Sequence, residues 1–169
     1  MDHNRVIENL KTNRDVFSAL LVNKHEYEYL WKPNATKWCL LEVVCHLYDE
    51  EREDFRARVK HTLETPNEPL TMFDQIAWVQ DRKYIEQDYN QMVEKLLEER
   101  LYSINWLSSL KDPSWENAYL HPKLGALSAE HFLVNWLAHD FLHIRQIVGL
   151  QFLHLKQTSN NNLSYAGSW

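Results

Sequence analysis

From Phe132 to Leu155 the chain reads as one apolar helix, yet a line of polar residues runs along it: Asn135, His139, His143 and Gln146. Residues three and four apart in a helix stack on one face. Phe141, Leu142, Ile144, Ile147 and Val148 surround that line and give no packing reason for polar groups there. Such a helix belongs in a bundle whose interior meets the polar line with a wet or metal-filled site. Two imidazoles at positions i and i+4 can close on one ion, and neutral imidazole suits Zn, Ni, Cu or Fe.

A third histidine, His46, lies in WCLLEVVCHLYDEEREDF. Its own helical line is Glu42, His46, Asp49 or Glu50, and Glu53, again polar between apolar flanks. Three protein ligands with open positions is the arrangement of a reactive metal site, whereas structural zinc sites are closed by four. The same residues also read as hydrogen-bonded core histidines, and spacing alone leaves both readings open.

A chain of 169 residues with 44% hydrophobic residues is long enough to bury a core as one domain. Only 3 Gly and 5 Pro argue against a strand-and-turn architecture. A net charge of −6 without basic clusters argues against nucleic-acid binding. The opening MDHNRVIENLKTNRDV is charged from the start and lacks the apolar run of a secretory signal. His139, Asp140, His143 and Arg145 interrupt the most apolar stretch, so no membrane span is expected. Cys39 and Cys45, six residues apart, project in opposing directions and fit unpaired thiols in a reducing cytoplasm.

Four long helical patterns appear, and nothing reads as a strand. The first runs from about Asp2 to Leu30 on a seam that includes Val6, Leu10, Phe17 and Leu21, and Lys32-Pro33-Asn34 breaks it. The second spans Leu40 to His61, with Glu42 placed as the acid of a capping box after Cys39. Thr65 to Pro69 ends it, and Met72, Phe73, Ile76, Ala77 and Trp78 mark a short helix in a looser stretch. Asp88 caps a third helix through Leu110, and Ser128 caps a fourth that runs to about Leu155. The expected architecture is all-α: a four-helix bundle over 1–156, with a long connection between helices 2 and 3. A tail follows over 157–169, whose Tyr165 and Trp169 could dock back on the body.

WCLLEVVCHLYDEEREDFRAR and AYLHPKLGALSAEHFLVNWLAHDFLHIRQI together resemble the DinB-like superfamily of metal-binding four-helix bundles, over nearly the whole chain. That resemblance implies one ligand histidine in the second helix and an H-x-x-x-H pair in the last. Residue by residue, these fall on His46, His139 and His143. The family's Trp-Ser-x-x-Glu is here Trp38-Cys39-Leu40-Leu41-Glu42, and cysteine is a poorer N-cap than serine, so a looser helix start is expected. Cys39, two turns before His46, is an inert buried filler before it is a reactive thiol. The superfamily is similar to enzymes that transfer low-molecular-weight thiols and to thiol-dependent isomerases, which implies a metal-activated thiol as one attacking group.

A divalent transition metal (Zn, Ni or Fe) with open positions would activate a bound water or thiol, or polarise a carbonyl. Glu42 and Glu50, one turn to either side of His46, are the local partners for its second ring nitrogen, and Glu50 is the candidate general base. Most of the DEERED run is expected to be a solvated helix face. His3, His25, His61, His121, His131 and His154 default to the surface, with His121 a candidate for the mouth of the site. Arg145 should point away from the metal, and Trp78, Trp106, Trp115 and Trp136 should fill the core. The expected function is a cytoplasmic metal-dependent hydrolase or transferase acting on a small molecule, in an assembly expected to be a homodimer. The rival is a non-catalytic metal- or ligand-binding stress-response protein.

Overall fold

The computed structural model describes residues 1–71 and 73–167. Met72 of the expected short helix and Trp169 of the expected docking tail lie outside the described residues, and Tyr165 is fully exposed. The elements are α1 (His3–Leu21), α2 (Glu26–Tyr29), α3 (Leu40–Asp49), a π-helical segment (Glu50–Phe55) running on into α4 (Arg56–Glu64), and α5 (Gln75–Asp81). A 3₁₀ turn (Tyr84–Glu86), α6 (Tyr89–Ser109), the strands β1 (Ala118–His121) and β2 (Gly125–Ser128), α7 (Ala129–Thr158) and a last 3₁₀ turn (Leu163–Ala166) complete the chain.

Local chemistry sets most of these boundaries. Asp2, Asp88 and Ser128 accept from the backbone amides of Arg5, Gln91 and His131, capping α1, α6 and α7. The expected first helix through Leu30 instead ends at Leu21, because Asn23 turns left-handed with φ 60°. Asparagine tolerates that conformation better than most residues. The carbonyls left open there are taken by side chains: Tyr89 Oη donates to Leu21 O at 2.8 Å and Gln151 Nε2 to Leu20 O at 2.8 Å. The second helix starts firmly despite its cysteine, since Cys39 N donates to Glu42 Oε2 at 2.8 Å.

The hairpin corrects the expectation of no strands. Ala118 pairs with Ser128 and His121 with Gly125, antiparallel. Each strand has four residues, too few to establish a period-two pattern in sequence. Gly125, at φ 78°, supplies the left-handed residue that the reversal needs.

Four long helices form the bundle: α1, the α3–π–α4 rod, α6 and α7. α1 packs on α6 and α7, while α3 packs on α6 and α4 on α7, so the second long helix lies diagonally across from the first. The connection between the second and third long helices carries α5 and the first 3₁₀ turn.

The core falls into two apolar clusters. One holds Phe17, Leu21, Leu41, Val44, Tyr84, Leu96 and Ile147; the other holds Leu10, Phe55, Val59, Leu107, Leu133 and Trp136. Between them, every long helix contributes a buried polar residue: Asn13, Glu51, Arg100 and Asp140. The bundle is therefore apolar at both ends and ionic across its waist.

Candidate metal centre

The π-helical segment begins where the second helix reaches the waist. A π turn takes an extra residue per turn and interrupts the α-helical facing of side chains. Asp49, Glu50, Glu51 and Asp54 are all buried, which overturns the expectation of a mostly solvated acidic face. Each carboxylate has distant partners that sequence proximity could not reveal. Tyr84 Oη donates to Asp49 at 2.6 Å, Trp136 Nε1 to Glu51 at 2.9 Å, and Gln75 Nε2 to both Glu50 and Asp54 at 2.9 and 3.0 Å. Arg100 and Arg82 bring the opposite charge to Glu51 and Asp49.

His46 from α3 meets His139 and His143 from α7 at this level. Candidate ligand atoms of the three rings lie within 4.8 Å of one another. The ring centroids of His46 stand 5.5 Å from His139 and 5.0 Å from His143. His139 Nε2 and His143 Nε2 are 3.0 Å apart. Two nitrogens bound to one ion at about 2.0–2.1 Å stand roughly 3.3–3.4 Å apart in tetrahedral geometry, so a small opening of the pair brings it to ligand spacing. Trp38 packs on His46, and Phe55 on His139, each with centroids 4.9 Å apart, closing the apolar sides.

Burial holds all three imidazoles neutral. The pKa of His46 is pushed down to about 3 by desolvation and by His143, and that of His139 to about 2 by desolvation and by both other histidines. His143 is lowered chiefly by desolvation. Converging neutral imidazoles are in the protonation state a metal requires. The donor set suits a divalent transition ion, with no further protein ligand in the cluster among the described residues.

Of the two acids placed beside His46, the fold uses only one near it. Glu42 is committed to the cap of α3 and to Lys32 Nζ at 2.8 Å. Glu50 faces the site: its Oε1 lies 3.8 Å from His46 Nδ1, beyond hydrogen-bond reach, and neither atom has a hydrogen-bond partner among the described residues. Burial pushes the pKa of Glu50 up to about 7. A carboxyl at that value can take or give a proton near neutral pH.

A cleft of about 400 Å³ opens beside the histidines, and His139 forms part of its wall with Phe55, Phe132 and Asn135. His121, a surface residue by default and only a candidate for the mouth, lines it. Asp54, Arg58 and His131 also line it and were not recognised in the sequence. Arg58 carries no local signal, because it stands among the alternating charges of EREDFRAR. Arg145 is exposed and away from the cluster, as the helical wheel requires. Trp78 and Trp136 are buried, while Trp106 and Trp115 are half-buried against the core. Cys39 and Cys45 are buried free thiols whose pKa values burial pushes up to about 11 and about 12.

No helix among the described residues is long and apolar enough to cross a membrane. The fold is similar to that of YfiT from Bacillus subtilis, a probable metal-dependent hydrolase with an unusual four-helix bundle topology. The match has a TM-score of 0.76 at 19% identity, covering 88% of this chain and 85% of that one. No curated protein matches the sequence. A family model does match, over residues 9–147, and the chain belongs to the DinB superfamily.

Proposed function

We propose that the protein is a metal-dependent hydrolase acting on a small molecule, with His46, His139 and His143 holding a divalent Zn, Ni or Fe ion. The observation that carries this is the convergence of three neutral, desolvated imidazoles beside an open cleft. Such an ion supplies Lewis acidity toward a carbonyl and lowers the pKa of a bound water. Glu50 is the general base: its unpartnered Oε1 accepts the proton, and Gln75 fixes its other oxygen at 2.9 Å. Phe55 and Trp38 keep bulk water from the rings. The likeness to a protein described as a hydrolase supports hydrolysis over thiol transfer. Both cysteines are buried with raised pKa values, so a transferase would need an external thiol in the same cleft. We take the enzyme to be cytoplasmic and a homodimer, with neither nucleic acid nor membrane as partner.

The test is metal content by plasma mass spectrometry, beside turnover of a panel of esters, amides and thiol conjugates. Near-stoichiometric metal that disappears in the His139→Ala/His143→Ala variant, together with hydrolysis that Glu50→Gln abolishes, supports the reading. Metal without turnover of any panel member leaves a non-catalytic metal-binding protein. Protein that takes up no metal makes the histidines core residues, and the enzyme falls.

A further inference from the structure

We propose that the cleft beside His139 recognises small monoanionic acids, with the terminal nitrogens of Arg58 as the carboxylate anchor. This deepens the reading above by naming a substrate class, an apolar-bodied carboxylic acid, and it rests on that reading only for the reaction.

Arg58 lines the cleft with a side chain only 19% exposed. A charge that far out of water needs a partner. Among the described residues the partner is Asp54, which accepts from Arg58 Nε alone. That leaves the Nη1/Nη2 edge of the guanidinium without a described acceptor, and this planar fork matches a carboxylate bidentately. Asp54 is itself shared, since Gln75 Nε2 donates to its other oxygen at 3.0 Å.

The guanidinium is also held in place. It lies 5.1 Å from the ring centre of Phe73 and 5.8 Å from that of Phe132, so its plane is steadied by two aromatic neighbours. Desolvation is the largest influence on the pKa of Arg58 and lowers it, while the nearby charge of Glu50 raises it. An incoming anion would offset part of that desolvation.

The rest of the cleft selects the kind of anion. Phe55, Phe132 and Leu142 form apolar wall, suited to a hydrocarbon or aryl body. Asp54 sits on the same arginine, so a second negative charge on the ligand meets repulsion, which disfavours a phosphate dianion. A volume of about 400 Å³ is at the lower end of ligand pockets. An acid anchored at Arg58 places its body along the wall that ends at His139.

The experiment compares 4-phenylbutyrate with its neutral isostere 4-phenylbutyramide by isothermal titration calorimetry on zinc-loaded protein. Binding of the acid about tenfold or more tighter than the amide is expected, given the strength of charge-assisted hydrogen bonds. Arg58→Gln should bring the acid to the level of the amide while zinc content stays unchanged. A preference that survives Arg58→Gln means that the metal or another group holds the acid, and overturns the proposal. Equal binding of acid and amide, or no binding of either, overturns it as well. Should Arg58→Gln not fold, Arg58→Lys keeps the charge but loses the fork; the acid should then weaken several-fold with the amide unaffected, and an unchanged acid affinity overturns the proposal. Failure to take up zinc would sink the hydrolase reading alone, because the same acid–amide comparison at Arg58 is then run on the metal-free protein.

Discussion

Arg100 grips both oxygens of Asp140, Nη1 to Oδ2 at 2.6 Å and Nη2 to Oδ1 at 2.7 Å, with side chains 2% and 0% exposed. Asp140 directly follows His139 in α7. The same guanidinium donates to Glu51, which directly follows Glu50 in the π turn, through Nε at 2.9 Å. One arginine on α6 therefore ties together the backbone segments that carry a candidate ligand histidine and the candidate base. Removing it leaves two carboxylates buried without their cation. Arg100→Met should cost about 3–5 kcal/mol of stability, because breaking one side of a buried ionic group is far worse than lacking it. Adding Glu51→Leu and Asp140→Leu to the same chain should restore much of that loss. Urea unfolding of the single and triple variants measures both; a single variant as stable as wild type would refute the assignment.

Metal removal should lower the melting temperature, because an ion that binds only the folded chain stabilises it by mass action. At a free concentration a hundred times the dissociation constant the effect is about 2.7 kcal/mol. Scanning calorimetry with and without chelator should show that shift in wild type and none in the His139→Ala/His143→Ala variant. An equal response of the two proteins would exclude these histidines as the binding site.

The helices and the histidine line were legible because both are written in local spacing. His139 and His143 are four residues apart, and one helix brings them to 3.0 Å. His46 joined them only through a bundle geometry that apolar seams imply but do not specify. What sequence hid was pairing at long range. DEERED looks like a water-facing run until Arg100, Arg82, Tyr84, Trp136 and Gln75 arrive from other segments to satisfy it. The break of the first helix was hidden for the same reason, since the carbonyls that end it are satisfied by Tyr89 and Gln151, far along the chain. Glu50, one turn from His46, stands 3.8 Å from its ring, whereas Glu42, at the same spacing, is claimed by the helix cap.

The two thiols should be silent in the native protein. Cys39 and Cys45 are 0% and 1% exposed, and burial is the largest cause of their raised pKa values. Nucleophilic attack needs both access and thiolate. A chromogenic disulfide reagent at neutral pH should react with neither thiol in buffer and with both in denaturant. Rapid labelling of Cys39 in the folded, metal-loaded protein would reopen a role for it beside His46.

Stability should carry a small acid-sensitive component from Glu53. Its carboxyl is held below the ordinary value of 4.5, first by the hydrogen bond from Arg82 and then by the charges of Arg82 and Arg52. A depressed carboxylate pKa contributes stability that is present above the unfolded value and lost as the pH falls through the folded one. The contribution is therefore complete near neutral pH and fades below about 4.5, toward the lowered folded value. Because the side chain is 37% exposed, solvent screens the pair, and about 0.2–1 kcal/mol is the expected scale. Glu53→Gln is the clean probe: it leaves Arg82 its second partner, Asp49, at 2.7 Å. Urea midpoints of wild type and Glu53→Gln should differ at neutral pH, converge as the pH drops through this window, and move closer in high salt. A gap that widens on acidification would give the linkage the opposite sign and refute the pairing as the source of the shift.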